Sequence, residues 1–498
     1  MLYPLREAGD LLKIVLLAVY VIAMLGIGYW AMRRTKNVGD FFLGGRKIGP
    51  WMSAFAYGTT YFSAVLFIGY AGKLGWGFGL HTMWIVLGNA IVGCLLAWWI
   101  LGSRTRTMTA KLNAMTMPDF LASRYNCQFL KTLSALIVFI FLVPYSASVY
   151  TGLGYLIGEN FNVSYNFVLA FLAVLTGVYI IMGGYLALTI TDFIRGIIEL
   201  FGVLVMVIFL AGKQGGFIEA TTALTKPEFA PGLQGMIGGF PGWVTLASLV
   251  IITSFGPWGL PQMVQKFYSI KSEMHIKSTM IVCTIFSLLM AFGAYYTGAL
   301  THLFYQVPPS KNIDELMPIF LTQQVPSTIS IIILFLVFSA SMSSLSSLVL
   351  VSSSAIAMDL YGGVIKPNAS KQTVMTLMRV LCGVFVAASL IIAMKKPTII
   401  VNLMVISWGV LAGAFAAPYV YGLFWRRATA AGAIAGLIAG LLIAVGLFII
   451  KGESFIPIAG AIAIIVPFIV VPVVSMITKP VSKELIARAF EKADVVQN

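Results

Sequence analysis

The sequence predicts an all-α polytopic membrane protein with thirteen transmembrane helices. Three observations predict it. Hydrophobic residues make up 59% of the 498 and charged residues only 10%, whereas a soluble domain carries about 25% charged residues. The chain supplies many apolar runs of the length, about 20 residues, that crosses a bilayer. These runs are continuous rather than alternating, which excludes a β-barrel, and open sheet cannot face lipid. A mean hydropathy of +0.95 agrees.

The runs are 11–32, 49–72, 79–102, 129–157, 163–183, 189–212, 242–263, 276–304, 326–358, 374–394, 398–424, 429–450 and 455–477. The first is too long for a signal-peptide core and is followed, not preceded, by its basic cluster, so it reads as a retained anchor helix. With the N-terminus outside, 23 of the 32 Lys and Arg residues fall in inner segments: 33–47, 103–131, Arg195, 266–277, 366–379, Arg426 with Arg427, and 479–492. Positive charge concentrates on the inner side, so this orientation is expected, with the C-terminal tail in the cytoplasm of an inner-membrane protein. Segment 479–498 is the tail, with one short amphipathic helix, and Met117-Pro118-Asp119 reads as a short helix start. Gly432, Gly436 and Gly440 recur every fourth residue, a pattern for close helix packing.

The net charge of +15 does not indicate nucleic acid, because the basic residues are dispersed over short loops. The spacing of Cys94, Cys127, Cys283 and Cys382 fits neither a metal site nor a redox pair. His81, His275 and His302 are too scattered for a metal cluster. No Ser–His–Asp arrangement or GxxxxGK[ST] loop appears, which argues against covalent catalysis and ATP-driven pumping.

Acidic residues carry the next signal. Asp192 and Glu199 fall well inside a span, where a carboxylate is costly and its default reading is functional. Arg195 stands at i+3 from Asp192 and i−4 from Glu199, so all three can share one face. They read either as functional carboxylates or as a structural ion-pair network. The ninth span carries six hydroxyls in nine residues, Ser339 to Ser347, and positions 340, 343, 344 and 347 line one face. Packing is one reading of this run. The other is a site for a hard cation, which takes several oxygen ligands.

Two spans look broken. The second holds Tyr57-Gly58-Thr59-Thr60-Tyr61-Phe62-Ser63, and the seventh holds Phe255-Gly256-Pro257-Trp258-Gly259-Leu260-Pro261, which cannot sustain a helical ladder. Interrupted spans in corresponding positions, five apart, point to inverted repeats with a binding site at the midplane. Spans 2–6 and 7–11 are then the repeats.

The chain resembles the sodium:solute symporter family, and its proline/pantothenate branch in particular. The resemblance rests on Phe42-Leu43-Gly44-Gly45-Arg46 with Gly49-Pro50, Gly183-Gly184-Tyr185-Leu186-Ala187 with Thr191-Asp192, Ala340-Ser341-Met342-Ser343-Ser344 with Asp359-Leu360-Tyr361, and Gly422 to Arg427, in that order. Gly259-Leu260-Pro261 points to the branch. It implies a leucine-transporter-type 5+5 inverted repeat. Residues 1–478 would form one transport domain, with an extra N-terminal helix (11–32), repeats at 49–212 and 242–424, and two accessory helices (429–477). It also implies a sodium site made by the carbonyls of Thr59, Phe62 and Ala340 and the hydroxyls of Ser343 and Ser344. Asp192 matches the family aspartate close to that site. Two-sodium members of the family look similar in their doubled serines, so Asp192, Ser343, Ser346 and Ser347 form a candidate second sodium site. The alternative is that Asp192 only tunes the first site or pairs with Arg195.

The expected function is sodium-coupled import of a small organic solute (an amino acid, a carboxylate or a vitamin-like acid) by alternating access. The partners are that solute, Na+ as coupling ion, and the lipid bilayer. The alternative is a sensory membrane module of transporter type, for which the tail offers no kinase or dimerisation segment. A passive channel fits broken helices less well. The solute pocket is expected among Thr60, Tyr61, Ser63, Phe255, Trp258, Gln262, Tyr145 and Ser407. No buried arginine or lysine is expected there, which leaves a carboxylate to helix N-termini, hydroxyls or sodium. Proline symporters carry aspartate where Tyr61 stands and tryptophan where Val65 stands, which speaks against proline. Many members carry glutamine where Arg195 stands, which implies a different inner gate.

Overall fold

A computed structural model describes residues 8–34 and 42–490. Residues 35–41 and 491–498, which include part of the 33–47 basic cluster and the end of the tail, lie outside the described residues. Among the described residues the only paired strands are a hairpin of Met236–Ile237 with Phe240–Pro241. All else is helix and connection. The helices are α1 (Ala8–Arg34), α2 (Pro50–Tyr61), α3 (Val65–Tyr70 continuing as Ala71–Phe78) and α4 (Met83–Gly88 continuing as Asn89–Gly102 and Ser103–Lys111). Then come α5 (Met117–Tyr125), α6 (Gln128–Phe161), α7 (Tyr165–Gly212), α8 (Gly242–Phe255), α9 (Pro261–Ser269) and α10 (Ile276–Leu300). The last are α11 (Leu316–Gln324), α12 (Ser327–Ser354), α13 (Lys371–Lys395), α14 (Ile400–Phe424), α15 (Ala430–Lys451), α16 (Ile456–Ile465), α17 (Pro467–Ile477) and α18 (Lys483–Phe490).

Eleven continuous helical stretches among the described residues are long and apolar enough to cross a membrane. Two helical rods fold back on themselves. In α7, a 48-residue element, the Tyr179 hydroxyl lies 2.5 Å from Thr191 Oγ1, 12 residues on. A straight helix would separate those positions by about 18 Å, so the chain reverses between them. The stretch from Val65 to Lys111 turns at Gly79 (φ +52°), whose added Cβ would lie 2.4 Å from the Phe229 carbonyl oxygen. Its returning arm brings the Gly93 carbonyl to the Tyr57 hydroxyl at 2.7 Å.

Both broken spans are interrupted. The first parts after Tyr61, where Phe62 takes an extended conformation (φ −111°, ψ 137°). The break comes a few residues later than Gly58, because Gly58 is used for contact: a Cβ there would meet the Phe286 ring at 2.4 Å. The second parts over Gly256–Leu260, where Pro257 and Pro261 lack N–H groups and each half restarts separately. The ends of the halves farthest from the cavity are tied together. Ile48 N–H donates to the Ser269 carbonyl (3.2 Å) and Lys271 N–H to the Ile48 carbonyl (2.9 Å). Arg46 donates to the carbonyls of Ala114 (2.6 Å) and Tyr268 (3.2 Å).

The small elements follow their local chemistry. Thr116 Oγ1 accepts from Asp119 N–H at 3.1 Å and caps α5, with Pro118 in its first turn. The fully buried Arg124 on α5 donates to the Gly422 and Trp425 carbonyls at the end of α14 and stacks against Phe490 of α18. Gly440 of α15 lies against the Gly413 carbonyl of α14, 2.2 Å from where a Cβ would sit. Cys94 and Cys283, 189 residues apart, meet as free thiols with sulfurs 3.4 Å apart; sequence spacing cannot register a contact made by two remote helices.

Candidate ion and solute site

The break after α2 sets the chemistry. The last carbonyls of a helix have no intrahelical donor, and the helix dipole adds partial negative charge there. Three of these oxygens face one side chain of α12. Ser344 Oγ lies 3.4 Å from the Thr59 carbonyl, 3.1 Å from that of Thr60 and 3.3 Å from that of Phe62. A hydroxyl has one proton, so four oxygens converge with a single hydrogen among them. Ser343 points to the next face: its hydroxyl donates to Asp192 Oδ1 (2.7 Å) and meets Thr59 Oγ1 (2.8 Å). Ser341 serves differently, accepting from Ala64 N–H (2.9 Å) and so capping the restarting helix. Thr59, Phe62, Ser343 and Ser344 are thus brought together, with the Thr60 carbonyl as an addition. The Ala340 carbonyl belongs to the same helical turn as Ser344.

Asp192, Ser343, Ser346 and Ser347, the set expected to hold a second sodium, each have partners within the protein. Ser346 Oγ donates back to the Met342 carbonyl at 2.6 Å. Ser347 Oγ lies 3.1 Å from Thr60 Oγ1 and accepts from the ammonium of Lys266 at 3.2 Å. Lys266 is fully buried on α9. By sequence it falls among the charges of the inner segment 266–277; α9 runs deeper past the break than the apolar run suggested and carries it inward. Arg195 takes the Asp192 pairing that is one of the two readings of that carboxylate. It sits 3.6 Å from Asp192, donates to the Tyr20 hydroxyl (3.3 Å) and stacks over Tyr179, and the Tyr20 hydroxyl in turn meets Ser339. The Arg195–Glu199 pair does not form, and neither Glu199 oxygen has a hydrogen-bond partner in the structure. The extra N-terminal helix α1 supplies Tyr20, which draws Arg195 the other way.

Between the two breaks lies a small cavity of about 20 Å³, lined by Tyr61, Ser63, Tyr70, Asn89, Thr253 and Trp408 among others. That is room for about one water, so any organic solute requires the walls to part. Of the expected pocket residues, Tyr61 and Ser63 line it. Thr60 faces Ser347. Trp258 donates to the Val92 carbonyl and Ser407 to that of Phe141. Phe255 and Gln262 are absent from the lining, and the Tyr145 ring stands edge-on to Trp408 at 5.8 Å. Trp408, Asn89, Tyr70 and Thr253 escaped the sequence reading. Unpaired buried groups mark three of them: Asn89 Oδ1, Tyr70 Oη and Trp408 Nε1 have no partner, and such groups are costly unless a ligand meets them.

Two interrupted helices tied across one bundle, with an oxygen cluster at one break and a polar–aromatic cavity between them, define an ion-coupled membrane carrier. The chain belongs to the sodium:solute symporter family, whose profile matches residues 41–440. It is 30% identical to the osmoregulated proline transporter OpuE of Bacillus subtilis over 86% of this chain and 87% of that protein. It is 28% identical to the sodium/proline symporter of Haemophilus influenzae, over 86% of each. The fold is similar to the substrate-bound, outward-open state of a Na+-coupled sialic acid symporter described as revealing a novel Na+ site. There the TM-score is 0.79 at 19% identity, covering 94% of this chain and 98% of that one. It is also similar to closed Mhp1, a nucleobase-cation-symport-1 family transporter, with a TM-score of 0.50 at 15% identity, covering 91% and 99%. The protein is a sodium-coupled importer of a small organic solute, not an enzyme, and a multi-pass protein of the cell membrane with Na+ as its coupling ion.

Proposed function

We propose that the coupling sodium binds at the first helix break, held by the carbonyls of Thr59, Phe62 and Ala340 and the hydroxyls of Ser343 and Ser344, and that the solute is a small amino acid. The observation that carries the ion site is the convergence of three carbonyl oxygens on Ser344 Oγ at 3.1–3.4 Å. A cation of calcium's size holds oxygens at about 2.3–2.6 Å, which spaces adjacent octahedral ligands by about 3.4 Å. The cluster is therefore spaced for such an ion with little rearrangement. Sodium there ties the break of α2 to α12, and closing that seam is coupled to closing the cavity beside it.

The unpaired groups of the cavity support an amino acid over a plain carboxylate. Asn89 Oδ1 accepts from an ammonium or imino group, while Tyr70 and Trp408 donate to a carboxylate. The curated relatives are named for proline. Here Tyr61 replaces the acidic residue, and its hydroxyl is committed to the Thr253 carbonyl at 2.5 Å. The test is uptake of radiolabelled candidates, proline included, into sodium-energised vesicles. Another small amino acid is expected to outrun proline. Saturable, high-affinity, sodium-driven proline uptake as the fastest of the set would overturn this.

The chain is proposed to cross the membrane thirteen times, with the two folded-back rods each counted as two crossings. The repeats then span 49–212 and 242–424, with the N-terminus outside. A cysteine placed near Lys451 should react with an impermeant maleimide from the outside, and one near Lys479 only after permeabilisation. The reverse labelling pattern would overturn the orientation.

A further inference from the structure

Lys266 stands where a second coupling ion would be expected. It lies on α9, the half of the second broken helix beyond the cavity, and its side chain is fully buried. Its ammonium donates to Ser347 Oγ at 3.2 Å and lies 5.1 Å from the centre of the Tyr185 ring. Ser347 Oγ also touches Thr60 Oγ1, one residue from the oxygen cluster of the first site. Among the described residues, Asp192 is the carboxylate that acts on this ammonium. A hydroxyl, an aromatic face and a nearby carboxylate are what a buried cation needs in a medium that solvates it poorly.

The four residues of the expected second sodium site are already committed. Ser347 accepts from Lys266, Ser346 donates to Met342, and Ser343 donates to Asp192, which also faces Arg195. Charge argues the same way. Two cationic side chains, Lys266 and Arg195, act on Asp192 before any sodium arrives, with Glu199 two turns further along α7. A sodium at the first break adds one more positive charge within a few ångströms of Ser343 and Thr59. A second sodium at Ser347 would lie in contact with an ammonium, and like charges at that range repel strongly away from water.

We propose that the Lys266 ammonium is a tethered cation occupying the second-ion position, so that the transport cycle carries one sodium per solute. This rests on the sodium reading of the first break. A covalently held cation compensates Asp192 and braces α9 against α12, but it cannot leave, so it adds nothing to the ion gradient that drives uptake. A lysine that merely braces the helices would leave the number of bound ions unchanged when removed.

Equilibrium binding of ²²Na+ to the purified full-length protein counts the ions directly. One sodium per chain is expected at saturation in the unmodified protein and in Lys266→Arg. Two are expected in Lys266→Ala, where the ammonium no longer shields Ser347, Thr60 and Asp192. Two ions in the unmodified protein, or one in a folded Lys266→Ala, would overturn the proposal. Should Lys266→Ala fail to fold, Lys266→Met, which keeps an apolar stem and removes the charge, is counted in its place, with two ions again expected and one overturning the proposal. No saturable sodium binding to the unmodified protein would instead remove the first site, on which this reading depends.

Discussion

Ser344→Ala should raise the sodium concentration for half-maximal uptake by about ten-fold or more, with normal amounts of protein in the membrane. The hydroxyl is the one side-chain oxygen that faces the Thr59, Thr60 and Phe62 carbonyls together. Hydrogen-bond-strength interactions with a charged partner contribute about 1.5–3 kcal/mol, and each 1.4 kcal/mol is a factor of ten in binding. Ser343→Ala should act in the same direction, but through two routes. It removes a ligand and also leaves Asp192 Oδ1 without its 2.7 Å donor. Measurement is of initial uptake rates against sodium in vesicles of matched protein content. An unchanged sodium response in both variants would remove the assigned site.

Gly298→Leu should abolish accumulation of folded protein. Gly298 of α10 and Gly75 of α3 face each other at backbone contact. A Cβ at Gly298 would lie 2.0 Å from the Ala71 carbonyl oxygen, and one at Gly75 would lie 2.4 Å from the Gly298 carbonyl carbon. Flexible side chains can yield to such a clash; two main chains cannot. The helices would have to separate along the seam that steadies α3, the half of the first broken span that follows the break. Overpacking ordinarily costs about 1–3 kcal/mol, and a clash between two backbones belongs in the tail above about 4 kcal/mol. Gly446→Leu is the control, since a Cβ there meets nothing within 4 Å. Detergent extraction followed by size-exclusion should show a monodisperse peak for Gly446→Leu and none for Gly298→Leu. A monodisperse, thermally unaltered Gly298→Leu protein would defeat the packing argument.

What was readable in the sequence was whatever announces itself locally. Two prolines and two glycines within Phe255–Pro261 state a helix break without reference to any other part of the chain. A serine run on one face states an oxygen-rich stripe, and Asp192 within an apolar run states a costly charge. What was not readable depends on remote partners. Lys266 sits in a run that looks like a helix end followed by loop charges, and only the depth to which α9 penetrates makes it a buried cation. Arg195 has Glu199 at ideal helical spacing, yet a tyrosine from α1 on one side and Asp192 on the other claim it. The cavity was half visible: Tyr61 and Ser63 belong to the polar patch at the break, whereas Asn89 and Trp408 come from helices with no polar pattern to single them out. The thiol contact between Cys94 and Cys283 is of the same kind.

The tie between Ile48 and the Ser269–Lys271 turn is made of main-chain groups alone. Those two bonds have no side chain to lose, so most substitutions at Ile48 or Lys271 leave them intact and only proline there deletes an N–H; beside them Arg46 donates to the Tyr268 carbonyl and Arg106 to the Ile270 carbonyl. The tie is also cheap to unfasten. As the two broken helices part at this end, water follows, and each amide exchanges a protein partner for a solvent one at a net cost of about 0.5–1.5 kcal/mol. A few bonds of that kind hold a door shut against thermal jostling, yet yield to the binding energy of an ion and a solute. Main-chain amides and the two arginines beside them together form the hinge stop of this carrier.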